Sequence, residues 1–220
     1  ILEALNIPTI WPDGIAGSCQ SSEPGNESRL SSHREDMRHI PFVTIDGEDA
    51  KDFDDAVFAE FLDIDKLWRL VVAISDVSAY VSCNTPLDDE ARRRGTSVYF
   101  PGLVFPMLPE ALSNGICSLQ PEKDRLSLVV DIKISSDGRI QSFTFHQAII
   151  RSRARLTYEE VQHYLDKDGD SPLKALLGAD QLKSVDHLVG VYKSLMIDRE
   201  SRGALDFRAR EGSPVLVGGK

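Results

Sequence analysis

The chain has 220 residues, 41% hydrophobic and 27% charged, the make-up of a soluble globular protein long enough for one large domain or two small ones. No apolar run approaches the roughly 18 residues that span a bilayer, no basic segment followed by an apolar stretch opens the chain, and Cys19, Cys83 and Cys117 are odd in number and too far apart for a disulfide framework or a zinc site. A formal net charge of −10 counts against a general nucleic-acid binder with a basic domain, although an acidic centre can sit beside a basic groove. A reducing cytoplasm is the expected location, and no membrane is expected as a partner.

Residues 1–38 read as irregular linker and the end of a preceding region. "PDGIAGSCQSSEPGNESRLSSHRED" is rich in Gly, Ser, Pro and charge, and Trp11 in "IPTIWP" is the expected anchor. From Ile40 the texture changes. "PFVTI" and "AVFAEFL" are strand-like runs on either side of an acidic stretch. "WRLVVAISDVSAYV" reads as an inner strand, apolar on both faces at its centre. "NTPLDDEARRRG" predicts a short helix: Thr85 at the N-cap, Pro86 at the first helical position, acids at the start, Arg92 to Arg94 at the end and Gly95 to close it.

"RLSLVVDIKISSDGRIQSFTFHQAII" predicts a hairpin turning at Asp137-Gly138. "LTYEEVQHYL" opens a helix with a capping box, Thr157 and Glu160. Asp180 to Arg202 predicts a long amphipathic helix along Leu182, Val185, Leu188, Val189, Tyr192, Leu195 and Met196, ended by Gly203. Strands first and helices later predict an α+β fold with a mixed, largely antiparallel sheet flanked by helices.

The acidic stretch "VTIDGEDAKDFDDAVFAE" places Asp46, Glu48, Asp49, Asp52, Asp54 and Asp55 beside one base, Lys51. Acidic clusters are usually solvated turns. Here Ile45, Ala50, Phe53, Ala56 and Val57 are interleaved, and burial of the Phe53 ring would pull its neighbouring carboxylates inward, where they need a cation. An EF-hand fails on spacing: counted from Asp52, Ala56 takes position five and Val57 the required glycine. Glycosidase carboxylates would be two, set apart on separate strands. More carboxylates than one Mg²⁺ usually takes suggest two metals, the arrangement of phosphoryl transfer and nuclease chemistry.

"PFVTIDGEDAKDFDDAV" resembles the signature of the RNB family of 3′-to-5′ exoribonucleases, the ribonuclease II and ribonuclease R family, and most resembles its bacterial ribonuclease R branch. "WRLVVAISDVSAYV", "TPLDDEARRRGTSVYFPGLVFPMLPEALSNGICSL" and "ARLTYEEV" agree in order and spacing, so that the resemblance runs from about Ile40 to Phe207. It implies processive hydrolysis of single-stranded RNA from its 3′ end, releasing nucleoside 5′-monophosphates with Mg²⁺, two ions when RNA is bound. The four signature aspartates of the metal centre fall on Asp46, Asp52, Asp54 and Asp55, with Asp54 the one whose loss stops cleavage. Glu48 and Asp49 match positions without a catalytic role.

The resemblance also places Tyr99 at the base-stacking tyrosine and Tyr158 near the ribose, where a 2′-hydroxyl contact favours RNA. Arg151, Arg153 and Arg155 alternate as on one strand face; Arg151 and Arg153 are carried as candidates for the RNA backbone path, with a solvated face as the alternative. Family features after "RGALDF" are not matched: an arginine motif that clamps phosphates, an S1 domain and, upstream, cold-shock domains. The expectation is therefore the N-terminal part of the catalytic domain over 39–220, monomeric in the complete protein. A non-catalytic RNA-binding fragment is the alternative.

Overall fold

A computed structural model describes residues 7–15, 33–100, 102–166 and 172–205. Most of the linker-like stretch and the closing "REGSPVLVGGK" lie outside the described residues. Nine strands are seen among the described residues: β1 (Glu35–Asp36), β2 (Val43–Asp46), β3 (Asp55–Leu62), β4 (Leu67–Ser75), β5 (Val98–Phe100), β6 (Leu103–Phe105), β7 (Asp124–Ile134), β8 (Ile140–Arg151) and β9 (Ala154–Thr157). The helices are α1 (Pro86–Arg94), α2 (Tyr158–Asp166), α3 (Leu173–Leu176) and α4 (Ala179–Ser201). The main sheet runs β1-β8-β7-β4-β3-β2-β9, and β5 pairs with β6 in a separate ribbon. The β1–β8 and β2–β9 pairings are parallel and the rest antiparallel, the mixed sheet the sequence predicts.

Only Ser152 and Arg153 carry the chain from β8 to β9. Five strand spacings separate these strands in the sheet order, roughly 24 Å if flat, whereas three residue steps reach only about 10 Å. The sheet must therefore curl at this end. Within the curl lies a core of Met37, Phe42, Ala56, Val71, Ala73, Leu119, Val129 and Ile150. The sheet also begins earlier than the change of texture at Ile40 predicts: Glu35–Asp36 pairs with β8, and Arg34 forms a buried ion pair with Asp76 at 2.5 Å.

α4 covers the other face. Its buried stripe is Ser184, Val185, Val191 and Ser194, whereas Tyr192 and Leu195, assigned inward by sequence spacing, are exposed. Hydrogen bonding turned the helix. β2 pairs with β3 only near Val57, so the Ala59 N–H lacks a strand partner on that side; it donates to Ser184 Oγ at 3.0 Å. Trp68 Nε1 donates to Ser194 Oγ at 3.0 Å. A Cβ on Gly190 would lie 2.4 Å from the Trp68 ring, so only glycine allows this approach.

The local signals read from sequence recur. The Asp88 N–H donates to Thr85 Oγ1 at 3.3 Å, and Gly95 closes α1 with φ of 72°. The capping box of α2 forms in both directions: the Glu160 N–H donates to Thr157 Oγ1 at 3.1 Å and the Thr157 N–H to Glu160 Oε2 at 2.8 Å. Trp11 is held by Arg94, whose guanidinium stacks 3.8 Å from the ring centroid. Among the described residues, no helix is long and apolar enough to cross a membrane.

Candidate active site

The acidic loop joins the end of β2, at Asp46, to the start of β3, at Asp55. Like charge should splay it, yet its backbone is fastened along its length. Ser118, fully buried, accepts from the Phe53 N–H at 3.1 Å and donates to the Lys51 carbonyl at 2.9 Å, bridging across Asp52. The Leu119 N–H donates to the Phe53 carbonyl at 2.8 Å and the Ser75 N–H to the Asp54 carbonyl at 2.9 Å. From the other side Arg155 donates to the carbonyls of Gly47 and Glu48, both at 2.6 Å. Phe53 packs its ring against the main core, as its pattern predicts.

Asp46, Asp52, Asp54 and Asp55 are brought within electrostatic range of one another. They lie shallower than the burial of Phe53 implies: Asp46 and Asp52 are half-buried, Asp54 and Asp55 exposed. Loss of hydration, then the charge of Asp55, pushes the Asp46 carboxyl above the usual carboxylate range. Asp54 has open surface but also lines a small cavity; loss of hydration, then repulsion from Asp52, Asp55 and Asp46, raises its pKa too. Asp46 Oδ2 is shielded from solvent and makes no hydrogen bond of ordinary geometry among the described residues, and the Thr44 hydroxyl and the Arg155 charge offset the rise only in part. No ion pair engages any of the four among the described residues. Nor do three or more His, Cys, Asp or Glu side chains converge there tightly enough to hold a metal ion by themselves, so the cluster is open.

A cleft of about 740 Å³ runs beside Asp52, walled by the β5–β6 ribbon and by Glu110, Ser113 and Asn114. The last two belong to a short π-type helical stretch, Ala111–Ile116, interrupted by a kink at Gly115. Tyr99 is 63% exposed on the ribbon, and its hydroxyl donates to Asp52 Oδ2 at 3.1 Å. Burial and the Asp52 charge raise its pKa. Cys117 lines a smaller cavity with Asp52 and Asp54, and burial pushes its thiol up to about 12, which keeps it protonated and inert. Tyr158 is exposed at the start of α2, one residue beyond Thr157, the register partner of Asp46.

The three arginines do not share one strand face. β8 ends at Arg151 and β9 begins after Arg153, because the chain crosses between sheet edges at Ser152. Arg151 is ion-paired with Asp124 at 2.7 Å, and Arg153 donates to the Arg38 carbonyl at 2.9 Å and to Glu122 at 3.5 Å. Arg155 alone of the three reaches the acidic loop. Neither Arg155 nor Ser118 stands out in the sequence as a support of the aspartates, because their partners are backbone groups some hundred and some sixty-five residues away.

Comparison with known proteins adds an independent line. The RNB domain model matches residues 34–218. Ribonuclease R of Escherichia coli strain K12 is 47% identical over 215 residues, 98% of this chain and 26% of that protein. The apo form of Mycoplasma genitalium RNase R superposes with a TM-score of 0.88 at 30% identity, over 99% of this chain and 33% of that one. The same enzyme in complex with ribose methylated single-stranded RNA gives a TM-score of 0.88 at 29% identity. The chain thus spans about a quarter of the curated relative and a third of the solved chains.

Proposed function

The chain belongs to the RNB domain family, and on that premise we propose that it carries the metal-binding part of an exoribonuclease that hydrolyses single-stranded RNA processively from the 3′ end, releasing nucleoside 5′-monophosphates. The observation that carries this reading is the gathering of Asp46, Asp52, Asp54 and Asp55 at one loop, none of them in an ion pair with a protein cation among the described residues. The donor set fits a hard cation: every candidate ligand is a carboxylate oxygen, one is shielded and makes no hydrogen bond of ordinary geometry among the described residues, and mutual repulsion disfavours the cluster's charge. Asp46, Asp52, Asp54 and Asp55 would hold Mg²⁺, two ions with RNA bound. The metal would supply polarisation of the scissile phosphate and a more acidic attacking water.

The chain's own residues do the rest. Ser118 and Arg155 hold the loop through its backbone, so that neither takes up a carboxylate oxygen, and Asp52 lines the cleft. Tyr99 offers an exposed ring at the cleft wall, suited to stacking on any base, and its hydroxyl orients Asp52. Tyr158, next to the Asp46 end of the sheet, offers a hydroxyl for a ribose 2′-OH. Arg151 and Arg153 stay candidates for the RNA backbone on charge alone. The proposed setting is the cytoplasm, in a protein acting as a monomer.

The test is Asp54→Asn in the full-length protein, which should abolish Mg²⁺-dependent degradation of single-stranded RNA; undiminished degradation refutes the reading. The open, uncaged cluster favours a second reading, in which this chain by itself binds RNA without cleaving it. Release of nucleotides from labelled RNA by the 220-residue chain with Mg²⁺ would exclude that.

A further inference from the structure

Arg155 is an anomaly at the acidic loop. A guanidinium near a carboxylate such as Asp46 would ordinarily form a bidentate pair with it. Here a single terminal nitrogen, Nη2, bridges two main-chain carbonyls, Gly47 and Glu48, at 2.6 Å each. Among the described residues Arg155 forms no ion pair with a carboxylate, and its Nε is buried without a partner. Its guanidinium carbon lies 5.7 Å from the Phe53 ring centroid, which restricts where the head group can swing.

The anchoring is geometrically efficient. Arg155 sits on β9 opposite Thr44 of β2, two residues before Asp46 in register, and so rides on the strand that leads into the loop. Its carbonyl contacts fasten the two residues that follow Asp46, while Ser118 fastens the residues on either side of Asp52. The turn closed by the Ala50 N–H on the Gly47 carbonyl, at 3.1 Å, shares one of the acceptors that Arg155 uses. Among the described residues, that turn is the other hydrogen bond holding the first half of the loop against the repulsion between Asp46 and Asp55.

The geometry points to Arg155 as a positioning residue for the divalent-cation site: it fixes the loop backbone after Asp46 and contributes positive charge without occupying a carboxylate oxygen. This inference rests on the reading of the aspartates as cation ligands. It differs from a role in gripping RNA, because the guanidinium's observed donors face the loop carbonyls.

The experiment compares Arg155→Met and Arg155→Lys with the unaltered full-length protein. Hydrogen exchange of residues 46–55 is followed in EDTA, and Mg²⁺ activation and single-stranded RNA affinity are measured separately. Expected in Arg155→Met are faster exchange confined to the loop and a rise of about 10-fold or more in the Mg²⁺ concentration for half-activation, with RNA affinity in EDTA changed less than about 3-fold. Saturating Mg²⁺ should recover much of the rate, and Lys should give an intermediate effect in both readouts.

Unchanged exchange together with unchanged Mg²⁺ dependence overturns the proposal. So does weaker RNA binding whose salt dependence is shallower by about one phosphate contact, with Mg²⁺ dependence intact. If the Met variant does not fold, the Lys variant carries the same comparison. An unaltered protein without Mg²⁺-dependent hydrolysis would instead refute the functional reading, which keeps the two failures apart.

Discussion

Two acidic clusters of this chain meet opposite fates. In α1, Asp88 and Glu90 are neutralised within their own helix: Arg92 pairs with Asp88 at 3.1 Å, and Arg93 and Arg94 pair with Glu90 at 2.7 and 2.8 Å. Hydrogen bonds from the Asn84 N–H and Arg92 hold Asp88 below the usual carboxylate range, and those from Arg93 and Arg94 do the same for Glu90. In the loop from Asp46 to Asp55, comparable acid density is left without an ion pair among the described residues, and loss of hydration and repulsion push Asp46 and Asp54 upward. The difference separates charge that builds the fold from charge kept ready for something outside the chain. Lowered carboxylates stabilise; raised ones destabilise the empty protein and await a cation.

The sharpest way to break this comparison is to neutralise one acid in each cluster. Asp52→Asn should reduce Mg²⁺-dependent RNA hydrolysis in the full-length protein by more than about 100-fold, since even groups that only support a metal ligand cost 10- to 100-fold. Asp88→Asn should leave the rate within about 2-fold, because its carboxylate is taken up by Asn84 and Arg92 of its own segment. A steady-state assay with single-stranded RNA reads both. Equal losses would erase the distinction.

The second test reverses the expectation for stability. Glu90→Gln would leave the Arg94 side chain, 3% exposed, without its counter-charge. Breaking a buried pair from one side costs about 3–5 kcal/mol, and Arg94 also holds Trp11 and the Ile10 and Pro106 carbonyls, so the loss should spread into the 7–15 segment. Denaturant midpoints should fall accordingly, while the Mg²⁺ concentration for half-activation stays unchanged. A shift in Mg²⁺ activation would mean that the two clusters are coupled.

How far these clusters were legible in sequence follows from the range of the forces involved. α1 is a local object: Thr85, Pro86, the acids, the arginines and Gly95 lie within eleven residues, and cap and i,i+4 geometry follow from spacing alone. The same holds for the Thr157–Glu160 box and the Asp137-Gly138 hairpin. The aspartates were legible as a group because they are contiguous, and as a metal site through family resemblance. Their supports were not, because Ser118 and Arg155 act on backbone groups brought close by the curled sheet. That curl, set by the two-residue step from β8 to β9, also defeated the reading of Arg151, Arg153 and Arg155 as one face. On α4, donors on Ala59 and Trp68 drew Ser184 and Ser194 inward, which no apolar periodicity anticipates.

The smallest effect is thermodynamic and divides the clusters by pH. Asp46 and Asp54 have folded pKa values above their unfolded ones, so the stability they contribute is present below the ordinary carboxylate value of about 4 and is lost as pH rises through the raised values. Asp88 and Glu90 behave oppositely: theirs is present above the ordinary value and lost as pH falls through the lowered one. In EDTA, Asp54→Asn should therefore be more stable than the unaltered protein at pH 7, with the gap closing as pH falls below about 4. Mg²⁺ should reverse the order, because a ligand at 100 times its Kd adds about 2.7 kcal/mol to a protein that binds it and little to one that does not. Thermal melts across pH with and without Mg²⁺ read both signs. If Asp54→Asn melts below the unaltered protein in EDTA at pH 7, the loop acids are structural after all, and the contrast with α1 fails at its weaker end.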